Sequence, residues 1–128
     1  MKFDPPKLSS SYAANRLGKT IYQIVFDLAP QKVIEFGVLH GYSLVCIAKA
    51  LQHLGRGGYV IGYDLWEDYP FNHGNMNEVK RILKKYEIEN VVILKKLDIN
   101  LWLKSPEEFD LLHLDVSIEG EILQRVVD

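Results

Sequence analysis

Apolar and polar residues follow two different periods along this chain, and the switches between them outline a regular series of elements. Lys32 to Phe36, Tyr59 to Tyr63, Val91 to Leu97 and Phe109 to Leu114 are short apolar, often β-branched runs with polar or turn residues at their ends. That is the pattern of buried strands. Between them, apolar positions recur at helical spacing. One predicted helix carries Tyr12, Ile21, Ile24, Val25 and Leu28, with Ser9 to Ser11 as candidate caps and Pro30 as its stop. A second runs from Ser43 to Leu54, and Gly55-Arg56-Gly57-Gly58 turns the chain after it. A third spans about Asn75 to Tyr86, after a polar loop from Leu65 to Gly74. Its apolar face is Val79, Ile82, Leu83 and Tyr86, and its outer face carries Lys80, Arg81, Lys84 and Lys85. Lysines and arginines opposite an apolar stripe read as a solvated face rather than a nucleic-acid site.

The resulting order is α-β-α-β-α-β, then a short helix or loop, then β. Strands alternating with helices predict an α/β fold, a Rossmann-like three-layer α/β/α arrangement around a mostly parallel sheet with right-handed crossovers. In such sheets the ligand crevice lies outside the carboxyl ends of the strands. All four strands end in or beside an acid, so Glu35, Asp64, Asp98 and Asp115 are expected along one rim. Residues 1–128 read as a single domain. The segment Glu121 to Asp128 looks like a helix just under way. The expectation is that C-terminal strands of the domain are missing, which would leave a sheet edge open to self-association.

Composition narrows the partners. At 128 residues and 48% apolar composition, the chain can bury a core. Fifteen basic against seventeen acidic residues provide no broad cationic surface, so nucleic acid is not an expected partner. The single cysteine, Cys46, cannot form an internal disulfide, and its apolar helical setting points to a buried thiol in a reducing compartment, the cytoplasm. Neither a secretory leader nor a bilayer-length apolar run is evident, so a membrane role is not expected.

The most informative segment is Glu35-Phe36-Gly37-Val38-Leu39-His40-Gly41-Tyr42-Ser43, a glycine turn where a strand hands over to a helix. Unpaired N–H groups and the positive end of the helix dipole meet there, and glycines let a ligand approach the main chain. The turn departs from the G-x-G-x-x-G dinucleotide fingerprint, since no third glycine follows. It is also not a P-loop, because no Gly-Lys-Ser or Gly-Lys-Thr closes it. The carboxylate of Glu35 repels anions and accepts from an amine. An NAD-type dinucleotide domain would use an acid like Asp64, but with a third glycine and no acid at position 35.

These residues resemble the class I S-adenosylmethionine-dependent methyltransferases, and among them the small-molecule O-methyltransferases of the catechol O-methyltransferase and macrocin-type group. Glu35, Gly37, Gly41 and Ser43 match the first motif, E-x-G-x-x-x-G-x-S, and Tyr42 matches its frequent G-Y-S ending. Leu17-Gly18-Lys19 with its helix, Asp64, and Phe109-Asp110-Leu111-Leu112-His113-Leu114-Asp115 fit the same pattern. The resemblance covers most of residues 12–128. It implies S-adenosylmethionine as cofactor and methyl transfer to a small-molecule or sugar hydroxyl. It also implies that Gly37 and Gly41 admit the amino-acid part, with Val38 between them among the cofactor-binding residues, and that Tyr42 and Ser43 hydrogen-bond its carboxylate end. Glu35 would orient the turn or accept from the ammonium, and Asp64 would take both ribose hydroxyls. Leu65 and Trp66 would pack by the adenine, and Asp98 would meet its amino group. In metal-dependent relatives an aspartate at the position of Asp115 helps hold magnesium. The lysine or histidine that often follows it is replaced here by Val116-Ser117-Ile118-Glu119, so neither a metal nor a general base is assigned.

Blander readings stand beside these. Asp98 could simply cap the next helical turn. His113, inside an apolar strand, reads as a satisfied core or crevice residue, and no two histidines have metal-ligand spacing. Cys46 lacks a basic partner, which argues against a nucleophile. Tyr63, Trp66, Tyr69 and Phe71 form either core or a lid. A non-catalytic or fragmentary module of the same fold is the remaining alternative.

Overall fold

In the computed structural model, which describes residues 3–8, 10, 16–68 and 74–114, four parallel strands form the central sheet. They are β1 (Lys32–Phe36), β2 (Tyr59–Asp64), β3 (Val92–Lys96) and β4 (Leu111–Leu114), ordered β3-β2-β1-β4. β1 is paired on both sides, with Glu35 opposite Gly62 in β2 and opposite His113 in β4. Its residues Val33 to Phe36 are all buried, which is why the run is continuously apolar except for Glu35.

Helices α1 (Gly18–Leu28), α2 (Tyr42–Leu54) and α3 (Met76–Lys85) cover one face of the sheet, and α4 (Ile99–Lys104) covers the other. Strand alternation sends Val33, Val60 and Leu111 into the first layer and Ile34, Phe36, Ile61 and Tyr63 into the second. The central helix is α2, where Leu44, Val45, Cys46, Ile47, Ala48, Ala50 and Leu51 are buried. Each large aliphatic side chain buried there contributes about 1.5–3 kcal/mol of transfer free energy.

The helix ends follow local chemistry. Ala29 closes α1 in the left-handed region, returns its N–H to Val25 O, and is followed by Pro30. Glycines 41 and 55 bracket α2. Asn75 caps α3 by accepting from the Glu78 N–H, while Lys84 and Lys85 complement the dipole in its last turn. The outer residues Lys80, Arg81, Lys84 and Lys85 are exposed, as a solvated face requires. The predicted caps Ser9 and Ser11, and Tyr12, lie outside the described residues. Between β3 and β4 the chain forms a helix, with Ile99 and Trp102 buried. β4 starts later than the apolar run implies. Asp110, just before the strand, donates its N–H to Lys32 O and accepts from both Gln31 N and Lys32 N at 2.9 Å through Oδ2, pinning the start of β1. Among the described residues no helix is long and apolar enough to cross a membrane.

Candidate functional site

The chain moves one way across the sheet from β1 to β3 and then returns to the other side of β1 for β4. Between β1 and β4 the order reverses, and at their carboxyl ends such a reversal opens a crevice. The glycine turn leaves β1 at this point. Gly37, Leu39 and Gly41 all have left-handed φ angles, of 88°, 52° and 89°. The turn is locked by Gly37 N–H to Tyr63 O and Gly41 N–H to Val38 O, both at 2.9 Å.

Two carboxylates hold the turn from opposite sides. Asp64, at the end of β2, accepts from Leu39 N at 3.0 Å through Oδ2 and from Trp66 N at 2.9 Å through Oδ1. Two oxygens with about four lone-pair sites leave capacity for further donors such as paired hydroxyls. Glu35 is fully buried, and its Oε2 meets Ser43 Oγ at 2.7 Å and His113 Nδ1 at 2.8 Å. An ionised carboxylate only accepts, so the serine hydroxyl and the histidine N–H donate to it. From the far side Gly74 presses on the turn, where an added Cβ would lie 1.8 Å from Leu39 O.

The other predicted site residues separate into those at the crevice and those that turn away. Val38 is buried against Gly62, so only its main chain faces the turn. Tyr42 is buried with its hydroxyl hydrogen-bonded to the Gly18 backbone, and burial pushes its pKa up. Ser43 is buried and committed to Glu35. Leu65 is half-buried beside Asp64. Trp66, expected by the adenine, is instead in the core among the α1–α3 layer. Its φ of 56° swings the indole inward, where Nε1 donates to Lys95 O at 3.3 Å. Tyr63 is likewise core, on the opposite face beside Phe36. Half of the aromatic cluster is therefore packing rather than a lid, and Tyr69 and Phe71 lie outside the described residues.

Asp98 follows β3 and caps α4, accepting from Asn100 N at 2.8 Å. The adjacent Leu97 N–H reaches Asp64 O at 3.2 Å, which brings Asp98 to the same rim as Asp64. Asp115 lies outside the described residues. Among those described, no cluster of His, Cys, Asp and Glu could hold a metal ion. Cys46 is buried, and burial, with Glu35 nearby, pushes its thiol up to about 12.

The Glu35–His113 contact was not foreseen from sequence. Its signal was present, because both residues occupy the penultimate position of their strands. That coincidence carries information only once β1 and β4 are known to be neighbours.

A methyltransferase domain model matches residues 34–127, more than half of the chain. The chain belongs to the methyltransferase domain family. Solved structures share its fold. An S-adenosylhomocysteine-bound methyltransferase from Podospora anserina aligns at 19% identity and a TM-score of 0.68, over 94% of this chain and 48% of that one. The O-methyltransferase TomG from Streptomyces achromogenes, involved in tomaymycin synthesis and solved with S-adenosylmethionine, aligns at 19% identity and a TM-score of 0.65. That match covers 87% of this chain and 47% of the other. A Bacillus cereus O-methyltransferase in complex with S-adenosylhomocysteine gives 20% identity, a TM-score of 0.65 and the same coverages. This methyltransferase domain thus spans about half the length of these structures. No curated protein sequence matches it.

Proposed function

We propose that this domain binds S-adenosylmethionine at the Gly37–Ser43 turn and serves methyl transfer to the hydroxyl of a small molecule or sugar. The observation that carries the reading is Asp64, a half-buried carboxylate fixed at the rim beside a left-handed glycine turn. Paired ribose hydroxyls need such an acceptor, and a sulfonium cofactor needs close main chain rather than a phosphate cradle. The donor set fits, because the turn offers main-chain groups with the Asp64 carboxylate beside them and no phosphate-binding lysine.

When bound, the cofactor supplies an electrophilic methyl group for in-line attack by the acceptor oxygen. The protein's part is alignment and removal of the hydroxyl proton. Asp64 would orient the ribose, Leu65 and Asp98 would flank the adenine, and the Gly37–Gly41 main chain would receive the amino-acid end. Tyr42 and Ser43, with their hydroxyls engaged, would act through the backbone at the start of α2. Glu35 would orient the turn. Asp115 belongs to the same reading only through the family resemblance, as a residue of the cofactor site, and no metal is assigned to it. The buried free thiol of Cys46 supports a reducing, cytoplasmic setting. Self-association along the outer edge of β4 is a further expectation, read by sedimentation.

Calorimetric titration of S-adenosylhomocysteine into the chain tests the cofactor site, with Asp64→Ala as control. Saturable one-to-one binding that the substitution abolishes is expected. A folded, monodisperse chain that does not bind overturns the reading.

A further inference from the structure

Glu35 and His113 meet at the strand reversal, and their contact gives Glu35 a task other than binding the cofactor. The carboxylate is fully buried, and the same oxygen receives Ser43 Oγ from the start of α2 and His113 Nδ1 from β4. A buried carboxylate depends on its charge-assisted donors, since water cannot replace them. Each donor comes from a different element. Ser43 stands directly after Gly41 and Tyr42, so whatever moves Glu35 moves the end of the glycine turn. Leu39, in the middle of that turn, is tied to Asp64. His113, Glu35, Ser43, the turn and Asp64 therefore form one continuous chain of contacts from β4 across β1 to β2.

We infer that His113 is a positioning residue for the cofactor turn. By donating Nδ1–H to Glu35 it fixes the carboxylate that anchors Ser43, and so sets the backbone that the cofactor's amino-acid end would meet. The inference rests on the cofactor reading above. It adds a residue from the opposite strand to that site and removes Glu35 from the groups that touch ligand.

Three substitutions test it by calorimetric titration with S-adenosylhomocysteine, each first checked for native circular dichroism and cooperative melting. His113→Leu keeps the apolar bulk and removes the donor, and affinity is expected to fall about tenfold or more, the equivalent of one charge-assisted hydrogen bond. His113→Asn restores a donor on the atom that replaces Nδ1 and should bind within about threefold of the unsubstituted chain. Ser43→Ala cuts the other arm and should weaken binding as His113→Leu does. A merely structural histidine would lower the melting temperature in His113→Leu with no change in affinity, which overturns the inference. Equal weakening in His113→Asn and His113→Leu also overturns it. Should His113→Leu not fold, Ser43→Ala decides: unchanged affinity there overturns the inference. If the unsubstituted chain does not bind, the cofactor reading falls and this one with it. If it binds and only the His113 and Ser43 variants are neutral, this one falls alone.

Discussion

The main-chain N–H of Leu39 lies 3.0 Å from Oδ2 of Asp64, so the last residue of β2 holds the turn that follows β1. Asp64 also takes the Trp66 N–H. Removing the carboxylate leaves two part-buried donors without acceptors, at roughly 1–3 kcal/mol for each. Asp64→Ala is therefore expected to lose stability as well as cofactor, read as a lower urea midpoint at unchanged m-value. Asp64→Asn keeps one acceptor and should fall between. An Asp64→Ala chain with the original midpoint would contradict this account of the turn.

Two glycines beside the same turn should respond differently to one added methyl. At Gly41 the φ of 89° strains any other residue, but a Cβ would meet only Val79, at 3.6 Å. The expected cost of Gly41→Ala is the left-handed penalty, about 1–2 kcal/mol. At Gly74 a Cβ would overlap Leu39 O at 1.8 Å, and backbone cannot swing aside as a side chain can. Gly74→Ala should therefore destabilise more than Gly41→Ala and displace the turn, which comparative denaturation and S-adenosylhomocysteine titration of the two variants would reveal. The opposite ranking would refute the packing argument.

Where the relevant physics is local, the sequence was enough. β1 runs from Lys32 to Phe36 as its apolar pattern requires, α2 begins one residue before the expected Ser43, and Asn75 caps α3. Asp64 could be placed because a strand end followed by a polar loop defines the rim. Trp66 could not, since its inward swing depends on a positive φ that a bulky residue rarely adopts and that the Asp64 carboxylate helps hold. Asp98 kept two readings because capping and ligand contact draw on the same oxygens. The Glu35–His113 pair joins residues 78 positions apart, and only the strand order brings them together.

Acid should weaken the fold in two steps. Burial, aided by Lys49, lowers the pKa of His53, whose Nδ1 meets Tyr22 Oη at 2.6 Å. The unfolded chain then takes up a proton first, and stability falls as pH drops below the ordinary histidine value of 6.5. For Glu107, burial pushes the pKa up, but hydrogen bonds from Lys32, Tyr63 and Trp102 outweigh it and leave a net depression. Its contribution is present above the ordinary value of 4.5 and disappears as pH falls through the folded value. Melting temperatures between pH 8 and 3 should show both declines, with Glu107→Gln flattening the lower and His53→Gln the upper. A profile unaltered by either substitution would count against these assignments.

Cys46 should report on folding rather than react in the native state. Its side chain is wholly inaccessible, and burial, with Glu35 adding repulsion, pushes the thiol up to about 12. Only the thiolate attacks disulfide reagents, so at pH 8 both access and ionisation oppose reaction. Labelling with an aromatic disulfide is expected to be slow in buffer and immediate in denaturant, with the rate tracking the unfolded population at intermediate urea. Cys46→Ser would place a hydroxyl in this apolar layer and should cost about 1–3 kcal/mol, whereas Cys46→Ala should cost less. Rapid labelling of the folded chain at a rate independent of urea would mean that α2 opens locally, and the core assigned to it would have to be redrawn.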